Sequence, residues 1–281
     1  MAAYRYVVAD VFTDSALEGN PVAIFTDARG LDDERIGRLA RETNLSETVF
    51  VFPPDGDAHA AIRIFTPATE LPFAGHPVLG TAFVLGSPMQ LGVIVLATRA
   101  GDVPIVLDRD ESGRIVFGRM SQPVPKVSPF EEEAALFGAL GIERAELPVE
   151  VYDNGPRHVV IVLDSRETVA ELDPDLRALQ AFGELGFSCC AGAGDAWKTR
   201  MFAPALGVAE DPATGSAAGP IVCHLARHGR VEWGTEIVLE QGVEIGRPSR
   251  LHARAEGGGG LIDAVEVGGN AVTVARGEFR L

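Results

Sequence analysis

Positive charge is scarce in this 281-residue chain: 24 Lys and Arg stand against 40 Asp and Glu, for a formal net charge of −16. Sequence-independent attachment to a phosphate backbone needs clustered cations, and so does adsorption to an anionic membrane surface. Neither nucleic acid nor membrane is therefore expected as a partner. Long apolar runs are missing too. "GVIVLA" and "HVVIVL" have strand length, far from the ~18 residues that suggest a membrane span. The opening "MAAYRYVVADVF" has no basic region followed by a long apolar run, so no secretory leader is expected. Cysteine is rare: Cys189, Cys190 and Cys223, an odd number without C-x-x-C spacing. That excludes a disulfide framework and a cysteine-based zinc site, and points to reduced, buried thiols in a cytoplasmic protein.

What is present is a chain rich in apolar residues and turns. At 46% hydrophobic content it can bury one large core or two ordinary ones. Thirty-two Gly and 18 Pro favour a strand-rich or mixed fold. Helices are expected at 32–42, 78–86, 130–140, 173–182 and 216–228. Strands are expected near 4–12, 21–26, 47–52, 61–66, 102–108 and 114–118, then near 149–153, 157–163, 186–190, 197–203, 235–240, 250–255 and 261–266, with "NAVTVARGEFRL" last. Many antiparallel strands around few helices mean α+β. "RIFTP" at 63–67 and "RMFAP" at 200–204 each read as a strand stopped by proline, followed by a small-residue loop and a helical segment. Two such matches flank "MSQPVPKVSPFEEE" (120–133), the best linker candidate. They suggest a duplicated domain.

The stretch "NLSET" (44–48) raises a chemical question. Glu47 falls at the mouth of the apolar strand "VFVF", where Val or Thr would serve the sheet better. In "FAGHPVLGTA" (73–82), Gly75 is expected to let the backbone turn and Pro77 suits a first helical position. His76 then stands at a helix N-terminus, where the macrodipole disfavours imidazolium. "EDPATGSAAG" (210–219) is a second helix start, with Asp211, Thr214, Gly215 and Ser216 around exposed N–H groups that suit an anion. Each of these also has a plainer reading, as a solvated glutamate, a packing histidine or an ordinary cap.

Other motifs carry less. His224 and His228 are spaced i,i+4 in "HLARH", without the Glu of H-E-x-x-H or a third ligand, and are expected to be surface or packing residues. No metal site is expected. His59, His158 and His252 have no motif, although "NGPRHVV" (154–160) looks like a turn feeding a strand that could touch a ligand. No G-x-S-x-G elbow surrounds Ser46 or Ser216. "EGGGGL" (256–261) opens no helix after a strand, so it is a hairpin tip rather than a dinucleotide loop.

Taken together, "LEGNPVAIF", "NLSET", "RIFTPATELPFAGHPVLGTA", "NGPRHV", "AGAG", "RMFAP", "EDPATGSAAGP", "HLARHG" and "QGVEIGRPS" resemble the PhzF family of phenazine-biosynthesis isomerases, from about residue 4 to the C-terminus. The unusually apolar "GSPMQLGVIVLATRAG" (86–101) departs from that pattern and is expected at an edge or interface. The resemblance implies a diaminopimelate-epimerase-like fold of two similar barrel-like domains, each a mainly antiparallel sheet around a central helix, with the active site between them. Domain boundaries are expected at 1–122, completed by 268–281, and at 123–267. The resemblance also implies a homodimer and a small carboxylic acid substrate, trans-2,3-dihydro-3-hydroxyanthranilic acid. Glu47 is then the acid/base, with His76 and Asp211 catalytic and Ser46, Gly75, Gly215 and Ser216 binding substrate. No cofactor is implied. With no cysteine in "FAGHP" or "EDPATGS", two-thiol racemisation is not expected. Desolvation and the like charge of Asp211 would bring Glu47 nearer neutrality. Two alternatives stand beside this one: an isomerase or epimerase of the same fold on another small amino acid, or a non-catalytic small-acid binding protein.

Overall fold

The computed structural model describes residues 2–281, and the chain divides into two compact units. The first runs through Ser121 and takes in Gly268–Leu281; the second is Gln122–Val267. The first unit contains β1 (Ala3–Val11), β2 (Asn20–Phe25), α1 (Asp33–Thr43), β3 (Glu47–Phe52), β4 (Ala60–Phe65), β5 (Glu70–Leu71), α2 (Gly75–Met89), β6 (Val93–Thr98), β7 (Gly101–Arg109) and β8 (Ile115–Gln122). The chain continues through β9 (Lys126–Pro129), α3 (Glu133–Leu140), β10 (Glu150–Asp153), β11 (Arg157–Val162), α4 (Arg166–Ala170) and α5 (Leu176–Gln180). It goes on through β12 (Gly186–Ala193), β13 (Ala196–Ala203), β14 (Val208–Asp211), α6 (Gly215–Arg227), β15 (Ile237–Gln241), β16 (Ser249–Gly258) and β17 (Leu261–Gly269). The last strand, β18 (Ala271–Arg280), returns to the first unit and pairs antiparallel with β1.

The duplication is visible strand by strand. In the first unit β1–β2 is antiparallel, β2–β3 parallel, β3–β4 and β4–β5 antiparallel, β4–β6 parallel and β6–β7 antiparallel. In the second, β10–β11, β11–β12, β12–β13, β13–β14, β13–β15 and β15–β16 repeat that series in the same order. The edge partner of β10 is β9, antiparallel, as β18 is for β1. Each parallel pair is bridged by helix, because a parallel return needs a crossover long enough to cross the sheet. The α+β class therefore holds, with mixed rather than purely antiparallel sheets.

α2 and α6 are the central helices. Each is apolar nearly all round, as a helix enclosed by its sheet must be, and every residue from Gly215 to Ala226 is buried. α2 packs on β1, β2, β3, β6, β7 and β18, and α6 on β11, β12 and β16. Gly80 shows how close the approach is: a β-carbon there would lie 2.8 Å from Val11 and 2.9 Å from Val22. The opposite sheet face of the first unit buries Phe25, Phe50 and Phe65 against Ile36 and Leu39 of α1. In the second, Val159, Ile161 and Phe187 pack with Leu136 of α3, Val169 of α4 and Leu179 of α5.

Two expectations need correction. The linker candidate is not free chain: Lys126–Pro129 forms β9 and pairs with β10, because Val127 and its neighbours complete that sheet edge. The apolar stretch at 86–101, expected at an edge or interface, holds the end of α2 and the strand β6, which pairs with β4 and β7 and leaves Val93 nearly half exposed. The helix expected at 173–182 is shorter, α5 at Leu176–Gln180, because Pro174 and the capping Asp175 delay its start, and the short helix α4 upstream of it was not expected.

Candidate active site

In the first unit the chain delivers Glu47 by a helix stop. α1 is capped at its start by Asp32, which accepts from Arg35 N at 2.8 Å, and ends at Asn44 in the left-handed region (φ 51°). Asn tolerates that conformation at a C-terminus. Three residues later Glu47 opens β3, in parallel register with Val22 of β2, its side chain only 13% exposed. His76 is the second residue of α2, whose N-cap Ala74 supplies no side-chain bond. Gly75 is thus the first residue of the helix rather than a turn before it, and Pro77 is its third residue, not its first.

These residues form a chain of contacts within the unit. Ser46 Oγ donates to Asn20 Oδ1 at 2.9 Å, and Asn20 Nδ2 lies 3.2 Å from His76 Nδ1. An amide nitrogen only donates, so Nδ1 accepts and the ring proton sits on Nε2. That nitrogen is 3.4 Å from Glu47 Oε2. Burial alone pushes His76 down to about 3, so near neutral pH the ring is uncharged, its Nε2 close to Glu47 Oε2 without a hydrogen bond between the two. The neutrality expected from the helix dipole has desolvation as its main cause.

The second unit holds the other candidates. Asp211 ends β14 and is buried; Thr214 Oγ1 donates to its Oδ2 at 2.6 Å. Gln241 locks this corner, its Nε2 donating to Asp211 O at 2.7 Å and its Oε1 accepting from Thr214 N at 3.0 Å. Gly215 and Ser216 open α6, whose N-cap Thr214 makes no side-chain cap bond. Gln122 Nε2 donates to Gly215 O at 2.8 Å and Asn154 Nδ2 to Ser216 O at 2.9 Å. His158 Nε2 lies 3.1 Å from Ser216 Oγ. Burial pushes His158 down to about 4, against the opposing charge of Asp153.

Asn20, Gln122, Asn154, His158 and Gln241 were given no role by spacing. Asn20, Asn154, His158 and Gln241 lie inside motifs that carry the family resemblance, but their roles depend on contacts across the sheet. His224, expected to be a surface or packing residue, is a packing one. It is fully buried, and a third ligand-type group does join it and His228: Glu150 of β10. Glu150 Oε2 takes Arg227 Nη1 at 2.6 Å and Tyr152 Oη at 2.9 Å, with His224 Nδ1 and His228 Nε2 each at 3.1 Å. Burial raises Glu150, but the histidines, Tyr152 and Arg227 outweigh it and hold the carboxyl down at about 2. The guanidinium already compensates that charge, so the cluster reads as a clasp between β10 and α6. The three cysteines are buried and unpaired, and burial pushes Cys190 and Cys223 up to about 12. None is a ready nucleophile or base.

The family model for phenazine biosynthesis-like proteins (PhzC-PhzF) matches residues 9–277. The chain belongs to the PhzF family. A trans-2,3-dihydro-3-hydroxyanthranilate isomerase of Pseudomonas aeruginosa is 53% identical over 278 residues, covering 99% of this chain and all of that protein. The enzyme of the same name from Pseudomonas chlororaphis is 50% identical over the same span. Among solved structures, a PhzF-family protein of Bacillus anthracis superposes with a TM-score of 0.86 at 25% identity, covering both chains completely. A predicted epimerase from Pseudomonas aeruginosa gives 0.84 at 30% identity over 98% of this chain and 99% of its own. A probable proline racemase of Agrobacterium radiobacter (TM-score 0.72, 12% identity, 99% of this chain and 93% of its own) shares the fold. The PhzF fold, with its paired barrel-like sheets around central helices, is thus the one the resemblance implied.

Proposed function

We propose that this protein is a trans-2,3-dihydro-3-hydroxyanthranilate isomerase of phenazine biosynthesis, with Glu47 as its general acid and base. The observation that carries the reading is the buried Glu47 carboxylate beside the neutral His76 ring, Oε2 to Nε2 at 3.4 Å. It stands in a chain 53% identical, end to end, to an enzyme of that name. The reaction moves atoms without gaining or losing any. Glu47 takes the proton from the hydroxyl-bearing ring carbon, and that electron pair forms a new double bond to the adjacent ring carbon. The diene shifts by one position, and the carboxylate-bearing carbon at its far end takes a proton back. The hydroxyl is then an enol, which tautomerises to the aminoketone.

The two carbons are meta on one ring, so one carboxylate on one face reaches both. The substrate's own conjugated diene spreads the developing charge, so no metal or organic cofactor is required by the chemistry. His76 Nε2–H is placed to hold or relay a proton at Glu47. Ser46, Gly75, Gly215 and Ser216 belong to substrate binding in this reading, with Asp211 as the second catalytic carboxylate; the uncapped starts of α2 and α6 offer N–H groups to an acidic ligand. That is how a chain of net charge −16 takes an acid.

Purified protein incubated with trans-2,3-dihydro-3-hydroxyanthranilate is expected to bleach the diene absorbance, before and after exhaustive chelation and without added nicotinamide, flavin or pyridoxal phosphate. Activity lost to chelator and restored by one metal would direct attention to Glu150, His224 and His228 instead. The protein is further proposed to work in the cytoplasm as a homodimer. Val93 and Val106, opposite each other on β6 and β7 and nearly half exposed, give the first unit an apolar strip suited to a second copy. Light scattering of the Val93→Glu, Val106→Glu variant is expected to show monomer where wild type shows dimer; a monomeric wild type contradicts this part.

A further inference from the structure

Three buried polar side chains of the second unit converge on the first residues of α6. Gln122 and Asn154 donate to the carbonyls of Gly215 and Ser216 and so hold the backbone. His158 addresses the Ser216 hydroxyl instead. His158 is 2% exposed and stands in register with Gly186 of the parallel strand β12. A β-carbon on Gly186 would come within 2.9 Å of His158 Nδ1, so that nitrogen faces the neighbouring strand. Among the described residues Nδ1 has no hydrogen-bond partner.

The tautomer follows from that asymmetry. A buried N–H without an acceptor is rarer and costlier than a buried lone pair without a donor. The ring proton therefore belongs on Nε2, and Nε2–H donates to Ser216 Oγ. A hydroxyl has one hydrogen to give and two acceptor positions. With one acceptor position taken, its hydrogen must point away from the ring, and among the described residues no carbonyl or carboxylate receives it.

We infer that His158 is a positioning residue that sets the polarity of Ser216, making its hydroxyl an obligate donor beside the α6 N–H groups and so selecting a carboxylate as the ligand group bound there. This rests on the reading of Ser216 as a substrate-binding residue. It goes further by naming the group Ser216 takes and the residue that decides it. An amine or ammonium would need Ser216 as an acceptor and is disfavoured.

The test uses two probes: 3-hydroxyanthranilate, which is the substrate ring already aromatic, and 2-aminophenol, the same ring without its carboxylate. Titration calorimetry is expected to show Ser216→Ala weakening the first probe on the order of tenfold, the worth of a charge-assisted hydrogen bond, and leaving the second within threefold. His158→Phe is expected to do the same, and to do nothing more in the Ser216→Ala background. His158→Gln, whose amide N–H can stand where Nε2–H stood, is expected to stay within threefold of wild type. Full affinity in His158→Phe, equal losses for both probes, or losses that add in the double variant would overturn the inference while leaving Ser216 in the site. No loss in Ser216→Ala would overturn the underlying assignment of Ser216, and the inference with it. Nitrogen spectra of imidazole-labelled wild type, assigned with His158→Gln, read the tautomer directly. A protonated Nδ1 would contradict the argument whatever the variants do.

Discussion

Glu47 is costly to the strand it opens: a nearly buried carboxylate at the head of a strand that continues Thr, Val, Phe, Val, Phe. The account assigns that cost to proton transfer. Glu47→Gln keeps the side chain's shape but cannot accept a proton, so turnover is expected to fall by at least ~10²–10⁴ with a melting temperature no lower than wild type. A rate within a few-fold of wild type would remove Glu47 from the mechanism. The places of Glu47 at a strand start and of His76 at a helix start were legible from the apolar run after the one and the Gly, His and Pro around the other, while their proposed roles came with the family resemblance. Asn20 and His158 were not legible in that way. Their importance comes from residues 56 and 58 positions away, and no local pattern records such a pairing. The Glu150 partner of His224 was not legible for the same reason, since it lies 74 residues upstream.

Among elements, the central helices show where intrinsic propensity and packing disagree. An Ala for Gly inside an exposed helix stabilises by ~0.5–1 kcal/mol. Gly138 of α3 is exposed, with nothing within 4 Å of its would-be β-carbon, and Gly138→Ala is expected to raise the denaturant midpoint. Gly80 of α2 has Val11 and Val22 side chains under 3 Å from that point. Gly80→Ala is expected to lower stability by ~1–3 kcal/mol through overpacking. Equal shifts of the same sign in both would mean that α2 does not sit as close to β1 and β2 as described. The positions of α1, α2 and α6 were legible from apolar spacing and small-residue starts. β9 and β14 were not, since four-residue edge strands are marked by what pairs with them. The late start of α5 is written in "LDPD", where a proline and a capping Asp set the first helical residue at Leu176.

For the molecule as a whole, the buried histidines dictate the response to acid. Folding depresses His76 to about 3 and His158 to about 4, both by burial, and holds Glu150 at about 2. From pH ~6.5 downward the unfolded chain binds protons that the folded histidines refuse, and below ~4.5 Glu150 adds to the same imbalance. Stability is therefore expected to be level above pH 7 and to fall on acidification through this window. A melting temperature that rises from pH 7 to pH 4 would contradict the burial of His76 and His158. The duplication, by contrast, was visible in "RIFTP" and "RMFAP" alone, because proline stops and small-residue loops survive in both copies. The central claim is that one carboxylate moves one proton between two carbons of a ring, and turnover in heavy water tests it most directly. The account predicts a product whose ring double bonds have moved, with any deuterium at the carboxylate-bearing carbon on a single face, apart from the solvent deuterium that ketonisation of the enol adds next to the carbonyl. Starting material recovered labelled and inverted at one carbon, its double bonds unmoved, would show a two-base epimerase and contradict it.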